Sequence, residues 1–320
     1  MHDLVVIGAG VAGLTAAAFA ARQGMKVLVV ERIGAGGQVI NVERIENFPA
    51  LAPGTPGYEL GPLLQEQAEA AGAEFVLDSV ESVVLDGDAF VVTLGDDAFG
   101  VNLDDNALRC STVIVAAGSS KRTLGVPGEE RLRGRGVSQC ASCDAPLFKG
   151  LQTCVVGGGD SALDEALHLA RHASRVTVVH RGKSLDAQRT LVDRVAAAPN
   201  IEVLFDSVID AVLGDPAVTG VLLRTLADGE RRTLATDGVF VCVGLAPNSA
   251  FLNGLVALDG EGRIVTDALM RTSLPGVFAA GDIRSDSAAM LAACAGDGAT
   301  AAVTAARYLR EMRMNRGQAG

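Results

Sequence analysis

The chain has 320 residues, enough for about two domains. Apolar residues make up 49% and charged residues 20%, with 38 glycines, two tyrosines and no tryptophan, the make-up of a globular protein with closely packed helices. A formal net charge of −11 argues against nucleic acid or an anionic membrane as partner, and no apolar run reaches membrane-spanning length.

Met1-His2-Asp3 leads directly into the first apolar run, so no secretory signal is read and the cytoplasm is expected. Leu4-Val5-Val6-Ile7 predicts a buried strand, and Gly8-Ala9-Gly10-Val11-Ala12-Gly13 a glycine turn opening a helix to Gln23. A second strand over Lys26–Val30 ends at Glu31. In such a G-x-G-x-x-G unit Gly8 permits the tight turn, Gly10 lets a pyrophosphate approach the backbone, and Gly13 allows close helix–strand contact. The N–H groups of the helix start suit the anion, and Glu31 stands where a carboxylate would take the hydroxyls of an adenosine ribose.

Short alternating runs at Ser79–Leu85 and Phe90–Leu94 flank the turn Asp86-Gly87-Asp88. The apolar strand Thr112–Ala116 then ends in Ala117-Gly118, two further candidates for cofactor contact.

The series then recurs. A strand over Gln152–Val156 runs into Gly157-Gly158-Gly159-Asp160-Ser161-Ala162, a helix through Arg171, and a strand over Arg175–His180. Gly157, Gly159, Asp160 and Ser161 are the second set of phosphate-binding candidates, with helix capping as the plainer role for Asp160 and Ser161. His180-Arg181 replaces the acid of the first unit, and a cation there suits a 2′-phosphate. Short strands follow at Ile201–Leu204, Ser207–Leu213 and Val218–Arg224, and another apolar strand runs into Gly244. Gly276–Asp282 returns a strand to the first sheet, making Gly281 and Asp282 candidates for the first cofactor, and an Ala-rich helix follows. Residues Asn315 to Gly320 are expected to be disordered. The fold class is therefore α/β: two Rossmann-like modules, the second inserted into the first, each with a small antiparallel meander. The expected boundaries are 1–118 and 246–320 for the first module and 119–245 for the second.

Cys140-Ala141-Ser142-Cys143-Asp144 lies between the two fingerprints. A C-x-x-C pair stores two electrons as a disulfide, and a flavin is the usual relay between a hydride donor and a disulfide. Asp144 is a candidate proton donor to a leaving thiolate, or a helix cap. Cys110, Cys154, Cys242 and Cys294 are isolated in apolar stretches and read as buried structural thiols. No second Cys or His pair accompanies Cys140 and Cys143, so no metal is expected.

The chain resembles low-molecular-weight thioredoxin reductases over nearly its whole length. The resemblance rests on Gly36-Gly37-Gln38, Ile45-Glu46-Asn47-Phe48-Pro49, Gly134-Arg135-Gly136-Val137-Ser138, the C-x-x-C-D run, Gly157–Ala162 and Thr272–Asp282. It implies FAD on the split module, NADPH or NADH on the inserted one, and a homodimer. It also implies electron flow through the flavin to Cys140–Cys143 and on to a thioredoxin-like protein or a small-molecule disulfide or dithiol. Cys143 would face the flavin, Cys140 would attack the substrate, and Asp144 would be the acid. Gln38 and Asn47 would lie on the flavin side and Asp282 on the ribityl chain.

Three departures stand out. Gly182 and Asp186 occupy positions where the family has arginines, with Lys183 as a partial substitute. Ala289-Met290-Leu291 replaces Arg-Gln-Ala, and Ala145-Pro146 replaces Gly-Phe. They leave open a dithiol oxidase passing electrons to oxygen, a disulfide reductase with a donor other than NADPH, and a non-catalytic redox sensor.

Overall fold

The computed structural model describes residues 1–95 and 106–318. Contacts divide the chain into two compact units, Met1–Ser120 with Ala246–Gly320, and Lys121–Leu245.

The first unit opens with β1 (His2–Ile7), α1 (Val11–Arg22), β2 (Val27–Glu31), α2 (Gly57–Ala70) and β3 (Glu74–Leu77). It continues with β4 (Val80–Asp86), β5 (Ala89–Leu94) and β6 (Ala107–Val115). Strands β3, β2, β1 and β6 pair in parallel. Continuous apolar runs form these strands because both faces are covered. Leu4 and Val6 enter one core with Val27, Val29 and Ile114, whereas Val5 and Ile7 enter another with Leu28, Val30, Val113 and Val115.

Strand β6 differs from the expected strand, which begins at Thr112. It starts five residues earlier, and its first half pairs antiparallel with β5 while its second half pairs parallel with β1. The hairpin of β4 and β5 therefore extends the seven-stranded sheet instead of standing apart. Turn and alternation signals locate the hairpin but carry no information about which strand it joins.

The second unit carries β8 (Val137–Ser138), α3 (Ala141–Asp144), β9 (Gln152–Val156), α4 (Asp160–Leu169) and β10 (Arg175–Val179). Then follow α5 (Arg189–Ala197), β11 (Ile201–Leu204), β12 (Ser207–Leu213), β13 (Gly220–Thr225), β14 (Arg231–Ala235) and β15 (Gly238–Val241). Its parallel sheet has the order β11-β10-β9-β15-β8, and β12-β13-β14 form a separate antiparallel meander. One face of the sheet buries Val155, Val176, Val178 and Phe240 against Ala162, Leu163, Ala166 and Leu169 of α4. Ala141 and Ala145, both 0% exposed, join that core and seat the segment between them. The two chain crossings, β7 (Ser119–Lys121) and β16 (Leu245–Pro247), pair with each other as a ribbon.

The first unit closes with β17 (Val277–Ala279), parallel to β6, and α6 (Leu291–Gln318). α6 packs on α1 through Ala301, Ala302 and Ala305 against the alanines of α1. A Cβ on Gly298 would meet the Ala12 carbonyl oxygen at 2.1 Å, so the two helices approach at backbone distance. The expected disorder from Asn315 is not what the structure gives: the helix runs on through Gln318, and residues 319–320 lie outside the described residues. Among the described residues no helix is long and apolar enough to cross a membrane.

Candidate active site

In the first unit the backbone builds a cradle around the glycine turn. Gly8 has φ +100°, and a Cβ on Gly13 would stand 1.9 Å from the Gly8 carbonyl oxygen, so the turn and helix touch without side chains. Gly10 is the N-cap of α1 and no side chain caps it, which leaves first-turn N–H groups open to an anion. A Cβ on Gly10 would meet nothing within 4 Å, so the backbone there faces open space.

Glu31, at the end of β2, accepts from Ala9 N at 2.7 Å and Ile33 N at 3.0 Å, tying the strand end to the turn. Gly36 donates to the Ala9 carbonyl at 2.8 Å and bridges Gly10, and a Cβ on Gly37 would lie 3.1 Å from Gly10 Cα. Gln38 Nε2 donates to Ser119 O at 3.0 Å, and Ser119 Oγ donates to Asp282 O at 3.2 Å. Asn248 closes the far side, donating through Nδ2 to Ala117 O at 2.8 Å and through its backbone N to Gly118 O at 3.0 Å.

Gly281 donates to Asp297 Oδ2 at 3.1 Å, and the same carboxylate receives Arg284 Nε at 2.6 Å and Nη2 at 3.0 Å. Cys294 Sγ and Ser287 Oγ lie 3.2 and 3.3 Å from Asp282 Oδ1. The structure thus gathers Gly8, Gly10, Gly13, Glu31, Gly36, Gly37, Gln38, Ala117, Gly118, Gly281 and Asp282 into one region. Asn47 stands apart, exposed in the loop before α2, with no hydrogen bond to these groups among the described residues. Sequence reasoning missed Ser119, Asn248, Arg284 and Asp297. The last two form a nearly buried ion pair, side chains 15% and 9% exposed, between residues with no motif signal.

In the second unit Gly159 is the N-cap of α4, again without a side-chain cap. Asp160 therefore does not cap the helix. Its carboxylate accepts from Gln188 N and Nε2, both at 2.6 Å. Asp186 N donates to Gly158 O at 2.9 Å and Asp186 bridges Gly159, so the segment after β10 lies along the glycine turn. The His180 ring lies against both Gly158 and Gly182, since a Cβ on either would come within 2.6 Å of a ring nitrogen. Gly157, with φ +144°, passes under the Cys242 carbonyl, and Ser161, Arg181 and Lys183 are exposed.

Cys140 and Cys143 form a disulfide with Cα atoms 5.4 Å apart. Cys140 is the N-cap of α3, and its Sγ accepts from Cys143 N at 3.3 Å. Cys143 is exposed and Cys140 half-buried. Asp144 ends the short helix instead of capping its start, and Ser138 Oγ donates to its Oδ2 at 2.6 Å. Ser138 also accepts from Cys140 N at 3.0 Å, so one hydroxyl ties the acid to the cysteine backbone.

Glu165 of α4 accepts from Ala141 N, and burial pushes its carboxyl up from the ordinary range against the pull of Lys121. Cys110 and Cys154 are buried, with thiols pushed up to about 12 by desolvation. Cys294 is buried and raised for the same reason. Cys242, expected to be buried, is only half so, because it lies just past the end of β15; its thiol is still pushed up to about 12. Among the described residues no group of three or more His, Cys, Asp or Glu could hold a metal ion.

Two uncapped glycine turns and a closed C-x-x-C are the parts of a nucleotide-linked disulfide oxidoreductase. The family described as "Pyridine nucleotide-disulphide oxidoreductase" matches residues 2–308. The chain is 39% identical over 308 residues to the thioredoxin reductase of Treponema pallidum (strain Nichols), covering 96% of this chain and 97% of that one. It is 42% identical over 311 residues to that of Streptomyces clavuligerus, covering 97% and 94%. The crystal structure of Lactococcus lactis thioredoxin reductase (FR conformation) superposes with a TM-score of 0.91 at 38% identity, covering 97% of this chain and 100% of that one. The chain belongs to the pyridine nucleotide-disulphide oxidoreductase family. Within it, the protein is an FAD-dependent enzyme of the thioredoxin-reductase type.

Proposed function

We propose that this enzyme draws electrons from NADPH or NADH and passes them through the Cys140–Cys143 pair to the disulfide of a thioredoxin-like protein. The disulfide seated on the core face of the second unit, with Asp144 tied to it through Ser138, carries this reading. When bound, FAD relays two electrons from the nicotinamide to the disulfide.

The first unit, expected over 1–118 and 246–320, is the FAD domain, and the second, expected over 119–245, the nicotinamide-nucleotide domain. In the first, Gly8, Gly10 and Gly13 with the α1 N-terminus hold the pyrophosphate and Glu31 the adenosine ribose. Gly36, Gly37, Gln38, Ala117, Gly118, Gly281 and Asp282 complete the flavin side, and Asn47, exposed in the loop before α2, is the one candidate there that the resemblance alone supports. The cradle fits that role, because open space lies where a side chain on Gly10 would be. In the second unit Gly157, Gly159, Asp160 and Ser161 frame the pyrophosphate, and His180 and Arg181 border the adenosine.

Once the pair is reduced, the Cys140 thiolate attacks one sulfur of the substrate disulfide, forming a mixed disulfide and expelling the other sulfur as a thiolate. Its Sγ position, accepting the Cys143 N–H, favours that thiolate. Asp144 gives its proton to the leaving sulfur. The Cys143 thiolate then attacks Cys140 Sγ, closing the pair again and releasing the second substrate thiol.

The relatives named thioredoxin reductase support a thioredoxin-like partner, with small-molecule disulfides as the other substrate class. A homodimer, implied by the resemblance, and a cytoplasmic location complete this reading.

The departures at Gly182 and Asp186 favour two rival readings, a dithiol oxidase and a reductase fed by another carrier. An anaerobic titration with NADPH and with NADH, followed by flavin absorbance and by thiols released from a thioredoxin-like disulfide, decides between them. Reduction by either nucleotide with matching thiol release supports the reductase. No reduction by either, together with oxygen uptake driven by a small dithiol, replaces it with the oxidase.

A further inference from the structure

Cys140 is flanked by two peptide groups, and a different charged side chain holds each. On one side Lys121 Nζ donates to the Gln139 carbonyl, and Gln139 Nε2 returns a bond to the Arg122 carbonyl at 3.3 Å. On the other side Glu165 Oε2 accepts from Ala141 N. The remaining Glu165 oxygen, Oε1, lies 3.6 Å from Lys121 Nζ, with side chains 18% and 26% exposed.

Three elements distant in sequence thus meet around one cysteine: the end of β7, the segment after β8, and the middle of α4. The Ala141 amide, on a residue with no exposure, would lose its acceptor without the carboxylate. The carboxylate in turn would stand desolvated and uncompensated without the lysine.

We propose that Lys121 and Glu165 are positioning residues for Cys140, fixing the peptide on either side of it and balancing each other so that neither charge alone governs ionisation of the reduced sulfur. This rests on Cys140–Cys143 being the redox pair. A cation near a thiol favours the thiolate and an anion opposes it, so the two residues act on Cys140 with opposite sign. Other ionisable groups around the segment are Asp144 on its own helix, held by Ser138, Asp164, which adds to the field on Glu165 from α4, and Glu129 and Arg133, an acid and a base that share a pocket with Ser138, Gln139 and Asp144. Cys242 lies beside the pair past β15, and its raised thiol stays neutral at ordinary pH. Lys121 is the cation that faces Glu165 directly.

The test uses the FAD-loaded protein, reduced with excess dithiol and alkylated with iodoacetamide across a pH series, with Cys140 modification read by peptide mass spectrometry. Lys121→Met raises the midpoint for Cys140 alkylation by about one pH unit, and Glu165→Gln, whose amide oxygen still accepts from Ala141 N, lowers it by about as much. Lys121→Arg leaves the midpoint where it is. Shifts of the same sign in Lys121→Met and Glu165→Gln, or no shift in either, overturn the proposal. If Glu165→Gln does not fold, equal midpoints for Lys121→Met and Lys121→Arg overturn it by themselves. Alkylation is independent of turnover. Disulfide reduction persisting in Cys140→Ser would instead refute the redox-pair reading.

Discussion

Ser138 Oγ donates to Asp144 Oδ2 at 2.6 Å while accepting from Cys140 N at 3.0 Å, so the acid and the cysteine backbone share one hydroxyl. A proton donor must be held within reach of the sulfur it serves, and this bridge fixes the carboxyl by a side chain that has no proton-transfer role of its own. Asp144→Asn should lower turnover of a disulfide substrate by about a hundredfold. Ser138→Ala, which keeps the acid but frees it, should cost about tenfold. Single-turnover reoxidation of the reduced pair by substrate measures both. Equal losses in the two variants would make the hydroxyl, not the carboxyl, the essential group.

The Gly10→Val variant separates cofactor binding from folding. Because a Cβ there meets no part of the chain within 4 Å, the substitution leaves the fold intact and places a side chain where a pyrophosphate must approach. Colourless protein with an unchanged circular dichroism spectrum is expected. Gly13→Ala should behave differently, since its methyl would collide with the Gly8 carbonyl and reduce the yield of folded protein. Full flavin occupancy in Gly10→Val would remove the pyrophosphate from this turn.

Nucleotide preference should respond to Asp186. Its backbone is anchored along the second glycine turn, at Gly158 and Gly159, so its side chain belongs to the border of that site. Asp186→Arg should tighten NADPH binding about tenfold, the worth of one charge-assisted contact, and leave NADH nearly unchanged. Gly182→Arg should gain less, because a Cβ there would lie 2.6 Å from His180 Nε2 and the ring must move first. Calorimetric titration of the oxidised protein measures both affinities. A wild-type protein that already strongly prefers NADPH would show that Arg181 and Lys183 suffice.

Glu165 should leave a signature in the pH dependence of stability. Burial raises its carboxyl above the ordinary carboxylate range, so the folded chain binds this proton more tightly than the unfolded chain. Stability then falls, relative to a variant without the group, as pH rises from the unfolded value through the folded one. The melting temperature of Glu165→Gln minus that of the wild type should therefore increase as pH rises above about 4, the ordinary carboxylate range. A difference that shrinks over the same range would mean that Lys121 and the Ala141 amide more than offset burial.

The sequence by itself determined the elements whose signal is local. Strand, glycine turn and helix start lie within about ten residues at Leu4–Gly13 and again at Cys154–Ala162, and the residue types there follow from backbone geometry alone. The C-x-x-C spacing likewise contains its own chemistry, because a disulfide between positions three apart needs no distant partner. The return of Gly281 and Asp282 to the first glycine turn was also legible, as a repeated apolar run ending in glycine.

What depends on packing between remote segments was decided only by the tertiary structure. Lys121, Gln139 and Glu165 meet around Cys140, and Arg284 meets Asp297 behind Gly281. Single charged residues without period or spacing look like surface charges in a sequence. Strand β6 shows the same limit, since its two halves pair with partners of opposite direction and nothing in Ala107–Val115 marks where the change falls. Asp160 and Ser161 read equally well as caps, and only the arrival of Gln188 from beyond β10 fixed where the Asp160 carboxylate points. Local geometry is written in neighbouring residues, whereas the pairing of distant charges is set by which helix faces which strand, and that is settled when the core closes.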